Sequence, residues 1–307
     1  MKSWHGRSLG LLAVLGMTAS AALGACSSAG GATATVSPET ADGGPTTSDA
    51  GGAADGPGAD TSEPPIAVAT AGCKATKAPT GLTSKTTTVG GASRRYQLQV
   101  PAAYDAGLPT RLVFLFHGLG GNGDQIRSYF SFEAEAAGGA IFVYPDGVAR
   151  LQGRTGWAQD DLPFFDAMVS EISASHCIDA KRIFAAGHSF GGYMSNLVGC
   201  ERGDVVRAIA PVSGGLVAGT CKGPVAAWLA HGDNDPTVAQ SEGIAARDHW
   251  ASANGCTATT KPTTPAPCVA YDGCSANHPV TWCSFPGGHY PLPAFTKQAI
   301  WDFFKVM

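Results

Sequence analysis

The sequence predicts an α/β fold whose central sheet is mostly parallel and is covered by helices on both faces. Two observations indicate this fold. Continuous apolar runs at 111–116 (RLVFLF) and 140–144 (AIFVY) are typical of central parallel strands, which are buried on both sides. Longer segments with apolar residues at helical spacing, such as 161–176, lie between strands. Strands that alternate with helices form a parallel sheet, because each crossover helix covers one face.

Further elements continue this alternation along the chain. Residues 94–100 (RRYQLQV) alternate polar and apolar side chains, as a half-buried strand does. Additional strands are predicted at 182–186, 205–211 and 225–230, and additional helices at 190–200, 244–253 and 295–306. Together these elements predict one folded domain at 73–307, a normal length for a single α/β domain.

The residues that precede this domain predict export from the cell. Residues 1–25 indicate a signal peptide, in which a basic start precedes an apolar run too short to span a bilayer. The segment ends in LGAC, which resembles a bacterial lipoprotein signal with Cys26 as the lipidated residue; a plain secretory signal cut nearby is the alternative. Residues 26–72 are predicted to be a disordered linker, because they hold too little apolar area to offset the ordering entropy. We therefore expect a protein that is lipid-anchored to the cell envelope or secreted.

Cysteine usage agrees with export. The chain holds nine cysteines, and without Cys26 an even number remains, suited to four disulfides in an oxidising compartment. The remaining cysteines are Cys73, Cys177, Cys200, Cys221, Cys256, Cys268, Cys274 and Cys283. No His/Cys cluster has the spacing of a zinc site, so no metal is expected. The net charge of −4 argues against nucleic acid as a partner, and membrane contact is expected only through a lipid at Cys26.

The motif Gly187-His188-Ser189-Phe190-Gly191 lies where a predicted strand must turn into a predicted helix. A nucleophile elbow requires this context, because the serine occupies a strained turn and the glycines let strand and helix approach closely. The bare pattern also arises as a fortuitous turn, but the flanking elements favour function. The sequence therefore predicts an α/β-hydrolase fold with Ser189 as nucleophile.

A serine hydroxyl needs a base, and in this fold the chain order is serine, acid, histidine. His289 is the predicted base, since it lies in a turn-rich loop after an apolar strand and before the last helix. Structural roles are predicted for the other downstream histidines, His231, His249 and His278. Asp235 is the predicted acid because Pro236 biases it to an extended or turn conformation; the alternative, Asp233, is expected to cap the loop. Asp235 would accept the second N–H of His289 and stabilise the imidazolium.

The oxyanion of the reaction needs N–H donors. One predicted donor is the N–H of Phe190, and the second is the N–H of Leu119 in the loop after 111–116, with Gly118 as the alternative. Trp157, Phe190 and Tyr290 are candidates for an apolar wall around the substrate, although ordinary packing explains such residues equally well. Gly118 is also expected to border the substrate.

Residues 96–307 resemble the secreted feruloyl esterases of carbohydrate esterase family 1 and their relatives, the polyhydroxybutyrate depolymerases. The matching segments include FHGLGGNGDQI, CIDAKRIFAAGHSFGGYMSNLVGC, HGDNDPTV and YDGCSANHPVTWCSFPGGHYP, of which the last is the most specific. The resemblance implies Ser189, Asp235 and His289 as the triad, and esters of ferulate or related hydroxycinnamates with plant cell-wall sugars as substrates. Many relatives have Tyr in place of Phe190 and Trp in place of Gly118, which leaves the selectivity open.

Two alternatives remain open at this point. One keeps the esterase chemistry with polyhydroxybutyrate chains or acetylxylan as substrate. The other is a non-enzymatic, lipid-anchored carbohydrate-binding surface protein. No cofactor and no obligate protein partner are expected for any of them.

The resemblance also implies three disulfide pairs, Cys177–Cys200, Cys73–Cys221 and Cys256–Cys274. Cys268 and Cys283 then remain, and they flank a predicted hairpin turn at equal distances from its centre. They are therefore expected to lie opposite each other as a cross-strand pair, at a separation that a disulfide can close.

Overall fold

The computed structural model of this protein describes residues 67–74, 79–217 and 221–307. In these ranges the strands are β1 (Gly81–Val89), β2 (Ala92–Val100), β3 (Thr110–Phe116), β4 (Ala140–Pro145), β5 (Val148–Ala149), β6 (Thr155–Gly156), β7 (Ile178–His188), β8 (Ala208–Val212), β9 (Ala226–Gly232), β10 (Thr260–Pro262), β11 (Cys268–Tyr271) and β12 (Val280–Phe285). The α-helices are α1 (Gly123–Phe130), α2 (Phe132–Ala136), α3 (Leu162–Ser175), α4 (Phe190–Glu201), α5 (Gln240–Ala253) and α6 (Thr296–Lys305). None of these helices is long and apolar enough to cross a membrane.

Ten of the strands form one sheet, in the order β1-β2-β4-β3-β7-β8-β9-β12-β11-β10. Its six central strands, from β4 to β12, run parallel to one another. Antiparallel strands extend both edges, with β1 and β2 on one side and β11 and β10 on the other. The predicted mostly parallel sheet is confirmed, and its carboxyl edge gathers the loops that follow β3, β7, β9 and β12.

Both faces of the sheet are covered, because the central strands are apolar on both sides. In β3, Val113 and Leu115 point into one core layer, while Leu112, Phe114 and Phe116 point into the other. Helices α3, α4 and α5 contribute to the second layer, and helices α1, α2 and α6 contribute to the first. The predicted α/β-hydrolase arrangement of helices around the sheet is therefore confirmed.

The folded domain begins before the predicted boundary at residue 73. Ala69 forms a β-bridge with Asp179, whose Oδ1 accepts the N–H of Val68 at 2.9 Å. The N–H of Thr70 donates to the carbonyl of Ile178 at 3.0 Å. The composition of residues 68–70 does not predict that they are ordered, because backbone hydrogen bonds hold them and they bury little apolar surface. The predicted signal peptide, Cys26 and residues 26–66 of the predicted linker lie outside the described residues.

Strand β1 has no counterpart among the predicted elements. Its sequence, GLTSKTTTV, is threonine-rich and lies at the sheet edge, where most of its side chains are exposed or half-buried. It pairs with β2 through the two-residue turn Gly90-Gly91, whose φ angles are 58° and 82°. A Gly-Gly pair between two strands is a hairpin signal, because such a turn needs positive φ at both positions. The Gly90-Gly91 pair is therefore the sequence signal from which β1 could have been predicted.

Four disulfides join all eight cysteines of the described residues. The pairs are Cys73–Cys177, Cys200–Cys221, Cys256–Cys274 and Cys268–Cys283. The last two pairs agree with the prediction. In the Cys268–Cys283 pair, the two residues are direct partners in the antiparallel register of β11 and β12.

The predicted pairs Cys177–Cys200 and Cys73–Cys221 are wrong. The 3₁₀ turn Ala71–Lys74 packs against the chain just before β7, so closely that a Cβ on Gly72 would lie 2.2 Å from the carbonyl oxygen of His176. This contact brings Cys73 to Cys177. Cys200 lies near the end of α4, where its carbonyl accepts the N–H of Lys222 at 2.8 Å, which places Cys221 beside it.

Candidate active site

Ser189 occupies the sharp turn between β7 and α4, with φ 59° and ψ −123°. A positive φ is strained for serine and is held here by close packing of the surrounding backbone. A Cβ on Gly191 would lie 1.9 Å from the carbonyl oxygen of Phe116, and one on Gly187 would lie 2.4 Å from the carbonyl oxygen of Gly191. Both glycines are therefore required where the sequence pattern places them, and the predicted elbow forms.

The loops after β9 and β12 bring Asp235 and His289 together. Nδ1–H of His289 donates to Oδ2 of Asp235 at 2.6 Å, and both residues are buried. The other carboxylate oxygen accepts the N–H groups of Thr237 and Val238 at 2.8 and 2.9 Å. Burial by itself would raise the pKa of Asp235, but the hydrogen bonds from His289 and the two N–H groups outweigh it and lower that pKa. Asp235 is thus a carboxylate that fixes the proton of His289 on Nδ1, which leaves Nε2 to act as a base.

Asp233, the alternative acid, has a different place. Its Oδ1 accepts the N–H of Gly287 at 3.0 Å, and the neighbouring Asn234 N–H donates to the carbonyl of Gly287 at 3.0 Å. Asp233 therefore ties the acid loop to the histidine loop and does not contact His289. The two carboxylates therefore have different hydrogen-bond partners.

Ser189 and His289 line one cavity of about 380 Å³, the Ser189 cavity. Its other lining residues are Leu119, Arg154, Phe190, Tyr193, Thr237, Val238 and Tyr290. Within the described residues, no direct hydrogen bond joins the Ser189 hydroxyl to the imidazole. Catalytic hydrogen bonds are often long or poorly aligned until substrate is bound, so this geometry does not exclude proton transfer from Ser189 to His289.

The loop after β3 is held from one side by residues at the start of β6. Thr155 accepts the N–H of Gly120 at 2.7 Å through its carbonyl and donates its hydroxyl to the carbonyl of Gly121 at 2.6 Å. Arg154 donates to the carbonyl of Leu119 at 3.0 Å. In the described part of the chain the Leu119 N–H has no protein acceptor, and the Phe190 N–H begins α4, where intrahelical acceptors are lacking. Two N–H groups at the Ser189 cavity are therefore candidate oxyanion donors.

His117 stiffens the same loop from within. It accepts the N–H of Gly147 on Nε2 at 2.8 Å, so its proton lies on Nδ1, which donates to the carbonyl of Gly118 at 2.7 Å. Burial lowers the pKa of His117, which keeps the ring neutral and preserves this pattern.

Trp157, a predicted substrate contact, is not among the residues that line the Ser189 cavity. The residue is buried, its indole N–H donates to the carbonyl of His117 at 2.8 Å, and its ring packs edge-on against Phe116 at 5.2 Å. Trp157 thus supports the β3 loop from the core. Residue type alone does not tell which way an aromatic ring faces. The predicted contacts Tyr290 and Phe190 do line the cavity, and Gly118 lies beside Ser189.

His188 is a residue of the site that the sequence analysis did not select. Its Nε2–H donates to the carbonyl of His289 at 3.0 Å, and the two rings lie 4.6 Å apart. Burial, followed by the neighbouring His289, lowers the pKa of His188 to about 3, so the ring is neutral. His188 precedes Ser189, so the chain order serine, acid, histidine does not point to it. The available signal was the position of His188 at the end of a central strand, beside the loops of the neighbouring strands.

One group of metal-type ligands occurs among the described residues, formed by Cys200, Cys221 and His249. His249 Nε2 lies 3.0 Å from the sulfur of Cys221. Because Cys200 and Cys221 form a disulfide, their thiolates are not available to a metal.

The fold and the side chains at its carboxyl edge are those of a serine hydrolase. A family model described as the prolyl oligopeptidase family matches residues 150–218. Feruloyl esterase C of Emericella nidulans is 35% identical over 231 residues, which cover 69% of this chain and 83% of that protein. Feruloyl esterase D of Neurospora crassa is 32% identical over 249 residues, 72% of this chain and 84% of that protein. The chain belongs to the feruloyl esterase family and is a serine carboxylic-ester hydrolase.

Solved structures show the same fold at low sequence identity. An acetyl xylan esterase from Aspergillus awamori has a TM-score of 0.58 at 14% identity, covering 73% of this chain and 99% of that chain. A mutant of the feruloyl esterase module from Clostridium thermocellum, complexed with sinapinate, has a TM-score of 0.53 at 15% identity, covering 73% and 86%.

Proposed function

We propose that the protein hydrolyses esters of ferulate and related hydroxycinnamates on plant cell-wall polysaccharide, with Ser189 as nucleophile, His289 as base and Asp235 as the orienting carboxylate. The observation that supports this most is the 2.6 Å hydrogen bond from His289 Nδ1 to Asp235. It leaves Nε2 free to accept a proton at the cavity that also contains Ser189. Relatives named feruloyl esterases support the substrate class.

The reaction proceeds by acyl transfer in two steps. Ser189 Oγ attacks the ester carbonyl while His289 Nε2 takes its proton, and the oxyanion accepts hydrogen bonds from the N–H groups of Leu119 and Phe190. His289 then protonates the leaving alcohol, and the ester C–O bond breaks to give the acyl-enzyme. Water, deprotonated by His289, attacks this intermediate and releases the acid. Asp235 remains ionised throughout.

The walls of the Ser189 cavity favour an aryl acyl group. Leu119, Phe190, Tyr193, Val238 and Tyr290 supply apolar and aromatic surface around the nucleophile. A cavity of about 380 Å³ has room for a ring and is larger than an acetyl group requires. Acetylxylan and polyhydroxybutyrate are therefore the weaker candidates. The non-enzymatic alternative is not retained, since the family consists of esterases.

The four disulfides in the described ranges fit an extracellular protein, and the protein is exported. A lipid anchor at Cys26 is a further proposal, supported by the LGAC segment. Mass spectrometry of the mature N-terminus checks it, and an unmodified residue at that position would exclude the anchor.

Ser189→Ala is expected to lower kcat on methyl ferulate by about 10⁴-fold or more, because only binding and the oxyanion donors remain. Wild-type protein is expected to show a higher kcat/KM for methyl ferulate than for acetylxylan or hydroxybutyrate oligomers. Steady-state kinetics with the three substrates measures both effects.

The matched control is Ser252→Ala, which changes an exposed serine of α5 and should leave kcat as in the wild type. Substantial turnover by Ser189→Ala would contradict the mechanism. A preference for either of the other two substrates would contradict the assigned substrate class.

A further inference from the structure

A second cavity of about 380 Å³ adjoins the Ser189 cavity, and the two share Leu119 and Tyr290 as walls. We name it the Tyr129 cavity. It is lined by the loop 117–121 together with Gln125, Ile126, Tyr129, His188 and Tyr290. Neither the mechanism nor the acyl group accounts for this space.

Gly118 stands between this cavity and the nucleophile. A Cβ at this position would lie 3.4 Å from Cβ of Ser189 and 3.7 Å from the hydroxyl oxygen of Tyr290. These are ordinary contact distances, and the backbone there is not left-handed, so a side chain is sterically allowed but would occupy the gap. The glycine therefore leaves the space between Ser189 and Tyr290 without a side chain, and we call this space the passage.

The surface of the Tyr129 cavity is aromatic and polar but uncharged. Tyr129 and Tyr290 are 39% and 59% exposed, and their rings meet edge to face at 5.7 Å. Gln125 adds an exposed amide, and the loop 117–121 adds backbone groups. No carboxylate, lysine or arginine lines the cavity within the described residues, and burial lowers the pKa of both His117 and His188.

A neutral sugar matches this surface. Its C–H groups lie against aromatic faces, and its hydroxyls exchange hydrogen bonds with amide and backbone groups. The acyl and alcohol halves of an ester extend in different directions from the carbonyl group. Two adjoining cavities beside the nucleophile can therefore each bind one half. The Ser189 cavity, with Phe190 and Val238, is the more apolar of the two.

We propose that the Tyr129 cavity binds the monosaccharide that carries the ester, the alcohol half of the substrate, with Tyr129 and Gln125 as its main contacts. This inference rests on the proposed esterase function. Binding of the sugar in the Tyr129 cavity makes the protein selective for the alcohol half of the ester as well as for the acyl half.

The test compares methyl ferulate with a feruloylated pentose, two substrates that differ only in the alcohol. The measured quantity is the ratio of kcat/KM for the sugar ester to kcat/KM for the methyl ester. Tyr129→Ala is expected to lower this ratio about tenfold, because a stacking surface is lost. Gly118→Trp fills the passage and should lower it at least as far.

Two further variants make the test selective. Tyr129→Phe keeps the ring face and should retain the wild-type ratio. Gln125→Ala removes an exposed amide without risk to folding and should lower the ratio a few-fold. If the wild type hydrolyses both esters and the ratio is unchanged in Tyr129→Ala, Gln125→Ala and Gly118→Trp, the sugar site is overturned and the proposed function is not. A wild type that hydrolyses neither ester would overturn the proposed function itself.

Discussion

His188 directly precedes Ser189, the proposed nucleophile, and contacts the loop that carries His289, the proposed base. Its hydrogen bond to the carbonyl of His289 joins the elbow after β7 to the loop after β12. The side chains of the proposed triad come from separate loops, so their relative positions depend on such cross-links. Because His188 is neutral, it positions His289 without adding a charge that would oppose the imidazolium.

His188→Asn is expected to lower kcat on methyl ferulate by about tenfold or more with little change in KM, since small displacements of a catalytic group are costly. The pH profile of kcat/KM should keep its shape, because His188 does not titrate near neutral pH. Steady-state kinetics between pH 5 and pH 9 measures both quantities.

His249→Asn serves as the control, since His249 lies beside the Cys200–Cys221 disulfide and does not line the Ser189 cavity. A wild-type kcat in His188→Asn would show that the histidine loop needs no such support.

At the scale of residues, the sequence predicts the groups that the proposed chemistry demands and a loop-capping role for Asp233, but it does not point to His188. The predictions of Ser189, Asp235 and His289 follow from a motif and from a chain order that this fold imposes. His188 and Asp233 act through the carbonyl of His289 and the N–H of Gly287, contacts that exist only after the loops have met.

Strand β12 carries the histidine loop and lies between two different neighbours. It pairs in parallel with β9 from Val280 to Phe285, and antiparallel with β11, to which the Cys268–Cys283 disulfide links it. The pairing with β9 positions His289 opposite the Asp235 loop. The disulfide therefore secures the outer edge of the sheet and is not needed for the register of the site.

Replacing both Cys268 and Cys283 by alanine is expected to lower the free energy of unfolding by about 3 kcal/mol, from the entropy of closing a loop with a sequence separation of 15. The kcat of the folded variant should stay within about twofold of the wild type. Urea unfolding and initial rates measure the two effects. An unchanged unfolding midpoint, or a large loss of kcat, would contradict this division of roles.

Among the elements, the central strands were predictable because burial on both faces leaves an apolar run. Strand β1 was not, since its edge position tolerates threonine and lysine, and its stability comes from pairing with β2. The Cys73–Cys177 disulfide depends on where a 3₁₀ turn docks against the chain before β7. A contact between segments so distant in the chain cannot be predicted from the local sequence of either one.

Across the described residues, buried and half-buried histidines link stability to pH. Burial lowers the pKa of six of them, His117, His176, His188, His231, His249 and His278. Their folded pKa values lie below the ordinary value of 6.5, so below that pH the unfolded chain binds more protons than the folded chain. Protonation therefore favours unfolding.

The free energy of unfolding is expected to fall as the pH is lowered from 7.5 to 5, because the unfolded state gains protons that the folded state excludes. Asp235 lowers the free energy of unfolding only when the pH falls below its ordinary pKa of 3.8, since its pKa in the folded state is lowered. Urea denaturation at a series of pH values measures the slope. His188→Asn should flatten it, and a stability that is constant or rises on acidification would contradict the assignment of neutral histidines.

The glycine at position 191 restricts how this enzyme can be engineered. Alanine in place of a helical glycine commonly raises the free energy of unfolding by up to about 1 kcal/mol, and Gly191 lies in the first turn of α4. Here the added methyl group would overlap the carbonyl oxygen of Phe116 and push the helix away from the sheet. A thermostable version must therefore gain its stability on surfaces remote from this junction.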